Sequence, residues 1–125
     1  MTTKPTLALI VAQAGSLQSS LLALMTTMPQ VNAVILAEKA RLALRMIDEH
    51  RPALVLVDMG LLGDDARTVL KQIKTGWPLT RCIVLADDVR QQQDAQAVGT
   101  DVVLIKGFPA AKFIAAIEGL LLQEE

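Results

Sequence analysis

Five short apolar runs recur along this chain, each too brief for a typical helix and each followed by a stretch of helical periodicity. They are residues 7–12 (LALIVA), 31–36 (VNAVIL), 53–57 (ALVLV), 81–86 (RCIVLA) and 101–105 (DVVLI). Runs that stay apolar without polar alternation are characteristic of strands covered on both faces, as in parallel sheets. The intervening stretches supply the covers. After Pro5 and the first strand, Ser16 reads as a helix N-cap, with Leu17, Leu21, Leu24, Met25 and Met28 at helical spacing until Pro29. Residues 38–50 turn Ala40, Ala43, Leu44 and Ile47 inward before Pro52, and Val69, Leu70 and Ile73 mark a helix closed by Gly76 and Pro78. A polar helix over 88–98 stops at Gly99, and a last one runs from Pro109 through Phe113, Ile114, Ile117, Leu120 and Leu121. Strand and helix in strict alternation predict an α/β fold: a five-stranded parallel sheet with helices on both faces and right-handed crossovers.

The chain of 125 residues is one domain's worth, and a hydrophobic share of 52% against 20% charged excludes a disordered polymer. Twelve Lys and Arg against thirteen Asp and Glu leave a net charge of -1, so there is no basic excess for neutralising nucleic-acid phosphates. An aromatic share of 2% argues against base-stacking surfaces, and a single Cys82 and a single His50 exclude a disulfide framework and a His/Cys zinc site. No run is long enough to span a bilayer, and the first residues lack the pattern of a secretory signal, so the expectation is a cytoplasmic protein without membrane contact.

In open sheets of this kind, chemistry gathers outside the carboxyl ends of the strands. There the sequence places Ala12 and Gln13, Ala37, Asp58, Ala86 followed by Asp87 and Asp88, and Lys106. Asp58 and Lys106 are the complementary pair: an ammonium a few ångströms away favours an ionised carboxylate, which is an oxygen nucleophile. Two readings stand side by side. Asp58 is a reactive carboxylate, or it caps the turn into Gly60 with Lys106 as a structural partner.

The stretch RPALVLVDMGLLGDDARTVLKQI resembles the phosphoacceptor segment of bacterial response-regulator receiver domains, and the resemblance extends over nearly the whole chain. It implies a flavodoxin-like (βα)5 sandwich with strand order 2-1-3-4-5, Asp58 at the position phosphorylated by a sensor histidine kinase, and Lys106 as the phosphate contact. The stretches WPLTRCIVLADD and GTDVVLIKGFPAAKFIAAIEGLL are similar to receivers that precede a LuxR-type helix-turn-helix output domain. The domain over 1–125 then stands alone or forms the amino-terminal part of a longer regulator. The resemblance further implies a non-enzymatic role through protein contacts, including a homodimer through the fourth helix, fifth strand and fifth helix.

The pocket departs from that pattern. The two acids that supply carboxylates for Mg²⁺ are replaced by Ala12 and Gln13, the hydroxyl residue by Ala86, and the aromatic of the fifth strand by Val103. Asp58 with the backbone carbonyl of Gly60 leaves a thin Mg²⁺ site, and phosphoryl transfer without its metal loses a large electrostatic contribution. A phosphorylation-independent pseudo-receiver is expected. The alternatives are a phospho-competent receiver that takes replacement ligands from Asp64, Asp65, Asp87 or Asp88, and a flavodoxin-like domain binding a small ligand. Against the last, VAQAGSLQ carries no Gly-rich phosphate loop. The four aspartates themselves read as caps of the helices that follow them. His50 reads as a helix-end residue, Cys82 as a buried apolar one, Trp77 as a cover on the third helix, and Arg90 to Gln93 as a solvated face.

Overall fold

The computed structural model describes residues 6–122; Pro5, expected to bound the first strand, lies outside them. Five strands, β1 (Leu7–Val11), β2 (Ala33–Ala37), β3 (Leu54–Asp58), β4 (Arg81–Ala86) and β5 (Val102–Ile105), form one parallel sheet in the order β2-β1-β3-β4-β5. Five helices alternate with them: α1 (Ser16–Thr26), α2 (Ala40–His50), α3 (Ala66–Gly76), α4 (Val89–Val98) and α5 (Ala110–Leu122). A helical turn, Met59–Leu62, and a 3-10 turn, Gly63–Asp65, fill the connection from β3 to α3.

The order of strands explains which helix covers which face. From β1 the chain steps to one edge, then reverses and crosses the sheet to the other. Because parallel crossovers keep one hand, that reversal of direction also moves the helices to the opposite face. Accordingly Ala43 and Ile47 of α2, Val69, Leu70 and Ile73 of α3, and Ala95 of α4 pack on Leu9, Val11, Val55, Val57 and Val84. Leu21 and Met25 of α1 and Phe113 and Ile117 of α5 pack on Ile10, Leu54, Leu56, Ile83 and Leu85. The alternate residues of each central strand thus feed two cores, which is why their sequences carry no polar alternation.

Several boundaries move from the sequence expectation for identifiable reasons. Ser16 is the first residue of α1 and not its cap, because the turn out of β1 extends to Gly15, whose carbonyl accepts from Ser19 N at 3.0 Å. That helix closes before Met28: the N–H groups of Thr27 and Met28 donate three residues back, to Leu24 and Met25, a tightening that fits the restriction Pro29 places on the residue before it. β2 begins at Ala33 because Val31 N donates to Met28 O in that same turn, while Asn32 ties to Thr6 through its backbone N–H and its side-chain oxygen. β4 spans the expected residues, and Trp77 packs half-buried against the core at the end of α3. Among the described residues no helix is long and apolar enough to cross a membrane.

Candidate functional site

Pairing in register brings the carboxyl ends of the strands together. Val11 lies opposite both Ala37 and Val57, Asp58 opposite Leu85, and Ala86 opposite Ile105. Lys106 follows β5 directly, and its backbone N–H donates to Ala86 O at 2.8 Å, which holds it beside the end of β4.

Three side chains meet there. Lys106 Nζ donates to Asp58 Oδ1 at 2.7 Å and to Asp87 Oδ1 at 2.6 Å. Asp58 Oδ1 also accepts from Gly60 N at 2.9 Å, capping the turn that starts at Met59. Gly60 leaves room for the group: a Cβ there would stand 3.2 Å from Asp87 Oδ2, 3.3 Å from Asp58 Oδ1 and 3.5 Å from Lys106 Nζ. Exposure rises across the cluster, from 15% for the Asp58 side chain through 30% for Lys106 to 46% for Asp87. Partial burial opposes the charge on Lys106, but hydrogen bonds and charge from Asp58 and Asp87 prevail and hold its ammonium above the ordinary lysine range.

The pairing of Asp58 with Lys106 is the one expected from the sequence, and both readings of Asp58 meet in it, since the same oxygen caps the turn and binds the ammonium. Asp87 corrects the sequence reading. It does not cap α4; its neighbour Asp88 does, with Oδ1 accepting from Gln91 N at 2.9 Å, while Gln91 reaches back with Oε1 to Asp87 N at 2.6 Å. Gln91 is therefore part of a reciprocal cap and not only of a solvated face. Asp65 occupies the N-cap position of α3 with no side-chain cap bond, and Asp64 lies exposed in the preceding 3-10 turn, so the capping expectation holds for Asp88 alone. A signal for Asp87 was present in the sequence: two acids follow β4 where one suffices as cap, and the strand beside β4 ends in a lysine.

The remaining positions at the strand ends offer little polar chemistry. Ala12 and Ala86 are fully buried, Gln13 is exposed, and Val103 packs half-buried against the core under α2, α3 and α4. Gln18, buried on α1 and missed in the periodicity, donates from Nε2 to Ala12 O at 3.0 Å. Mg²⁺ asks for near-octahedral oxygen ligands, usually one or two carboxylates with water and phosphate. Here both carboxylates at the mouth are bound to an ammonium, and the β1 end contributes a methyl group and a neutral amide. The residues present do not fit the metal. Among the described residues no group of three or more His, Cys, Asp or Glu side chains is arranged to hold one.

The described residues form, among others, two open grooves. One of about 590 Å³ adjoins the cluster, between the turn at Gly60 and the first turns of α3 and α4. The other, about 770 Å³ and lined in part by His50, Arg51, Trp77 and Leu79, lies at the opposite, amino-terminal edge of the sheet.

The sequence matches no established family profile and no curated protein. Solved structures share the fold. The signal receiver domain of an HD domain-containing protein from Pseudomonas fluorescens Pf-5 superposes with a TM-score of 0.84 at 22% identity, covering 97% of this chain and 98% of that one. A LuxR-family two-component response regulator from Aurantimonas sp. SI85-9A1 gives 0.83 at 20% identity, over 95% of this chain and 86% of that one. A response regulator from Thermotoga maritima gives 0.78 at 17% identity, over 96% and 100%. The chain therefore has the flavodoxin-like receiver fold of response regulators, with an ion cluster of Asp58, Lys106 and Asp87 at the carboxyl edge of its sheet.

Proposed function

We propose that this chain is a receiver-type signalling module of a two-component pathway, acting in the cytoplasm through protein contacts and without phosphorylation of Asp58. The observation that carries this reading is the state of Lys106, whose ammonium is held by two carboxylates of its own chain. Phosphoryl transfer depends on positioned positive charge around the transferring group. In this pocket two carboxylates outweigh one ammonium, so an anionic phosphoryl donor meets net negative charge. With Ala12 and Ala86 in place, the end of β1 has no carboxylate to hold a neutralising cation and the end of β4 no hydroxyl to donate to the phosphoryl group. The module has no turnover of its own. Its partner is a sensor kinase or another signalling protein, and the face of α4, β5 and α5 is where a partner or a second copy docks.

Incubation with acetyl phosphate or phosphoramidate in the presence of Mg²⁺, followed by intact-mass analysis, tests the reading. No stoichiometric phosphoryl adduct is expected. An adduct that depends on Mg²⁺ and disappears in Asp58→Asn would overturn it in favour of a phospho-competent receiver.

A further inference from the structure

We infer that Asp87 determines which cation this pocket holds: together with Asp58 it takes the Lys106 ammonium as the resident cation and so excludes a divalent metal. The argument starts from where the carboxylates come from. The β1 end, with buried Ala12 and exposed Gln13, sends none into the mouth. The second carboxylate arrives instead from the β4 end, on the far side of Asp58, one residue after Ala86. Both Oδ1 atoms lie within hydrogen-bond distance of one nitrogen, so they are close enough to share a single cation between them.

The backbone holds this arrangement from three directions. Lys106 N is tied to Ala86 O, Asp87 N to Gln91 Oε1, and Gly60 N to Asp58 Oδ1. All three charged groups close on Gly60, where a side chain would meet Asp87 Oδ2 at 3.2 Å, Asp58 Oδ1 at 3.3 Å and Lys106 Nζ at 3.5 Å. A metal entering here has to displace the ammonium from both partners or bind within a few ångströms of it. The inference deepens the proposed function, because it names the three-residue ion cluster that takes the place of a metal, but it concerns cation binding alone and is tested without a phosphoryl donor.

The test is titration of the full chain with MgCl₂ and with MnCl₂, followed by amide shifts and paramagnetic broadening at Asp58, Gly60, Asp87 and Lys106. The native protein is expected to give no saturable response at these amides. Lys106→Met leaves two carboxylates facing each other without their cation and is expected to gain a site centred on Asp58 and Asp87. Removing one repelling unit charge at a few ångströms from a dication predicts binding on the order of tenfold tighter or more. Lys106→Met combined with Asp87→Asn is expected to lose that gain, with far-UV circular dichroism confirming the fold of both variants. Saturable binding at Asp58 in the native protein, no gain in Lys106→Met, or binding retained in the double variant would each overturn the inference. A phosphoryl adduct on Asp58 in a native protein that binds no divalent metal would instead overturn the proposed function and leave this inference standing.

Discussion

Adjacent aspartates at the end of β4 carry different loads, and substituting each by alanine separates them. Asp88 accepts a hydrogen bond from Gln91 N in the first turn of α4. Loss of an N-cap of this kind costs about 1 kcal/mol, within a range of roughly 0.5–2. The Asp87 side chain accepts no hydrogen bond from the helix; its carboxylate pairs with Lys106 while remaining 46% exposed. Pairs this exposed contribute about 0.2–1 kcal/mol, and part of that is offset here because removing Asp87 also relieves its repulsion with Asp58. Asp88→Ala is therefore expected to be the more damaging substitution, lowering the midpoint of thermal unfolding by about 3–6 °C for a domain of this size. Salt distinguishes them further. At 1 M ionic strength the screening length falls to about 3 Å, so the effect of Asp87→Ala shrinks toward zero, whereas the hydrogen-bond part of the Asp88 cap survives. Urea unfolding of both variants at low and high salt, with hydrogen exchange at the first turn of α4, reads both outcomes. Equal losses, or a larger and salt-insensitive loss for Asp87→Ala, would refute the division of roles drawn from the geometry.

Burial, followed by the nearby Asp101 charge and only partly countered by Lys74, pushes the Cys82 thiol up to about 12, so the folded chain keeps a proton that the unfolded chain releases above about pH 9. Stability is then expected to fall as pH rises from about 9 to 12, with Cys82→Ala flattening that slope in urea midpoints, and native Cys82 is expected to resist thiol reagents at pH 8 until the protein unfolds. Lys106, raised above the usual lysine range, adds a stabilising contribution that is complete below that range and lost as pH rises above it; Lys106→Met is expected to remove this second alkaline loss. Gly99→Ala and Gly119→Ala are expected to differ in sign. Gly99 ends α4 at φ 91° in open space, so alanine there costs about 1 kcal/mol of backbone strain, while Gly119 inside α5 has neither positive φ nor a close neighbour and gains up to about 1 kcal/mol, both measurable by denaturant unfolding. Phe113→Ala, emptying a fully buried position between α5 and the sheet, is expected to cost about 3–5 kcal/mol by the same assay.

How far the sequence could be read depended on whether each feature is set locally or by neighbours in space. β1, β3 and β4 are buried on both faces, so their apolar runs located them within a residue or so. β5, though an edge strand, was also located within a residue, whereas β2, half-covered at the other edge, begins two residues later than its apolar run because of turn hydrogen bonds, such as Val31 N to Met28 O, that periodicity does not encode. Asp58 and Lys106 were legible because each stands at the end of an apolar run and their charges are complementary. Asp87 was only partly legible: the doubled acid after β4 signalled a second role, but a local rule assigns any acid before a helix to capping, and α4 offers that role to two candidates. Its partner became visible only when β5 was placed beside β4, with Lys106 N bonded to Ala86 O. Gln18 escaped for a related reason: a polar residue at an inward helical position is explained only by the free carbonyl of Ala12 opposite it.

The fold's independence from the residues at the mouth of its sheet follows from where its stabilising contacts lie. Residues in the middle of the strands, among them Ile10, Val55, Leu56, Ile83 and Val84, are completely enclosed by the two helical layers, and none of them belongs to the mouth of the sheet. Positions at the rim are free to change as long as each buried polar group keeps a partner. Ala12 and Ala86, both enclosed to within 1% of full burial, extend the apolar interior to the rim, where a carboxylate or hydroxyl would need its own partner. The charges that remain are drawn into one cluster in which Lys106 binds both acids, and Gln91 bonds Asp87 N as well as donating its own N–H to Asp88. The end of β4, the end of β5 and the first turn of α4 are thereby joined through Asp87, Lys106 and Gln91. A connection of this kind favours one position of α4, as the proposed role through surface contacts requires.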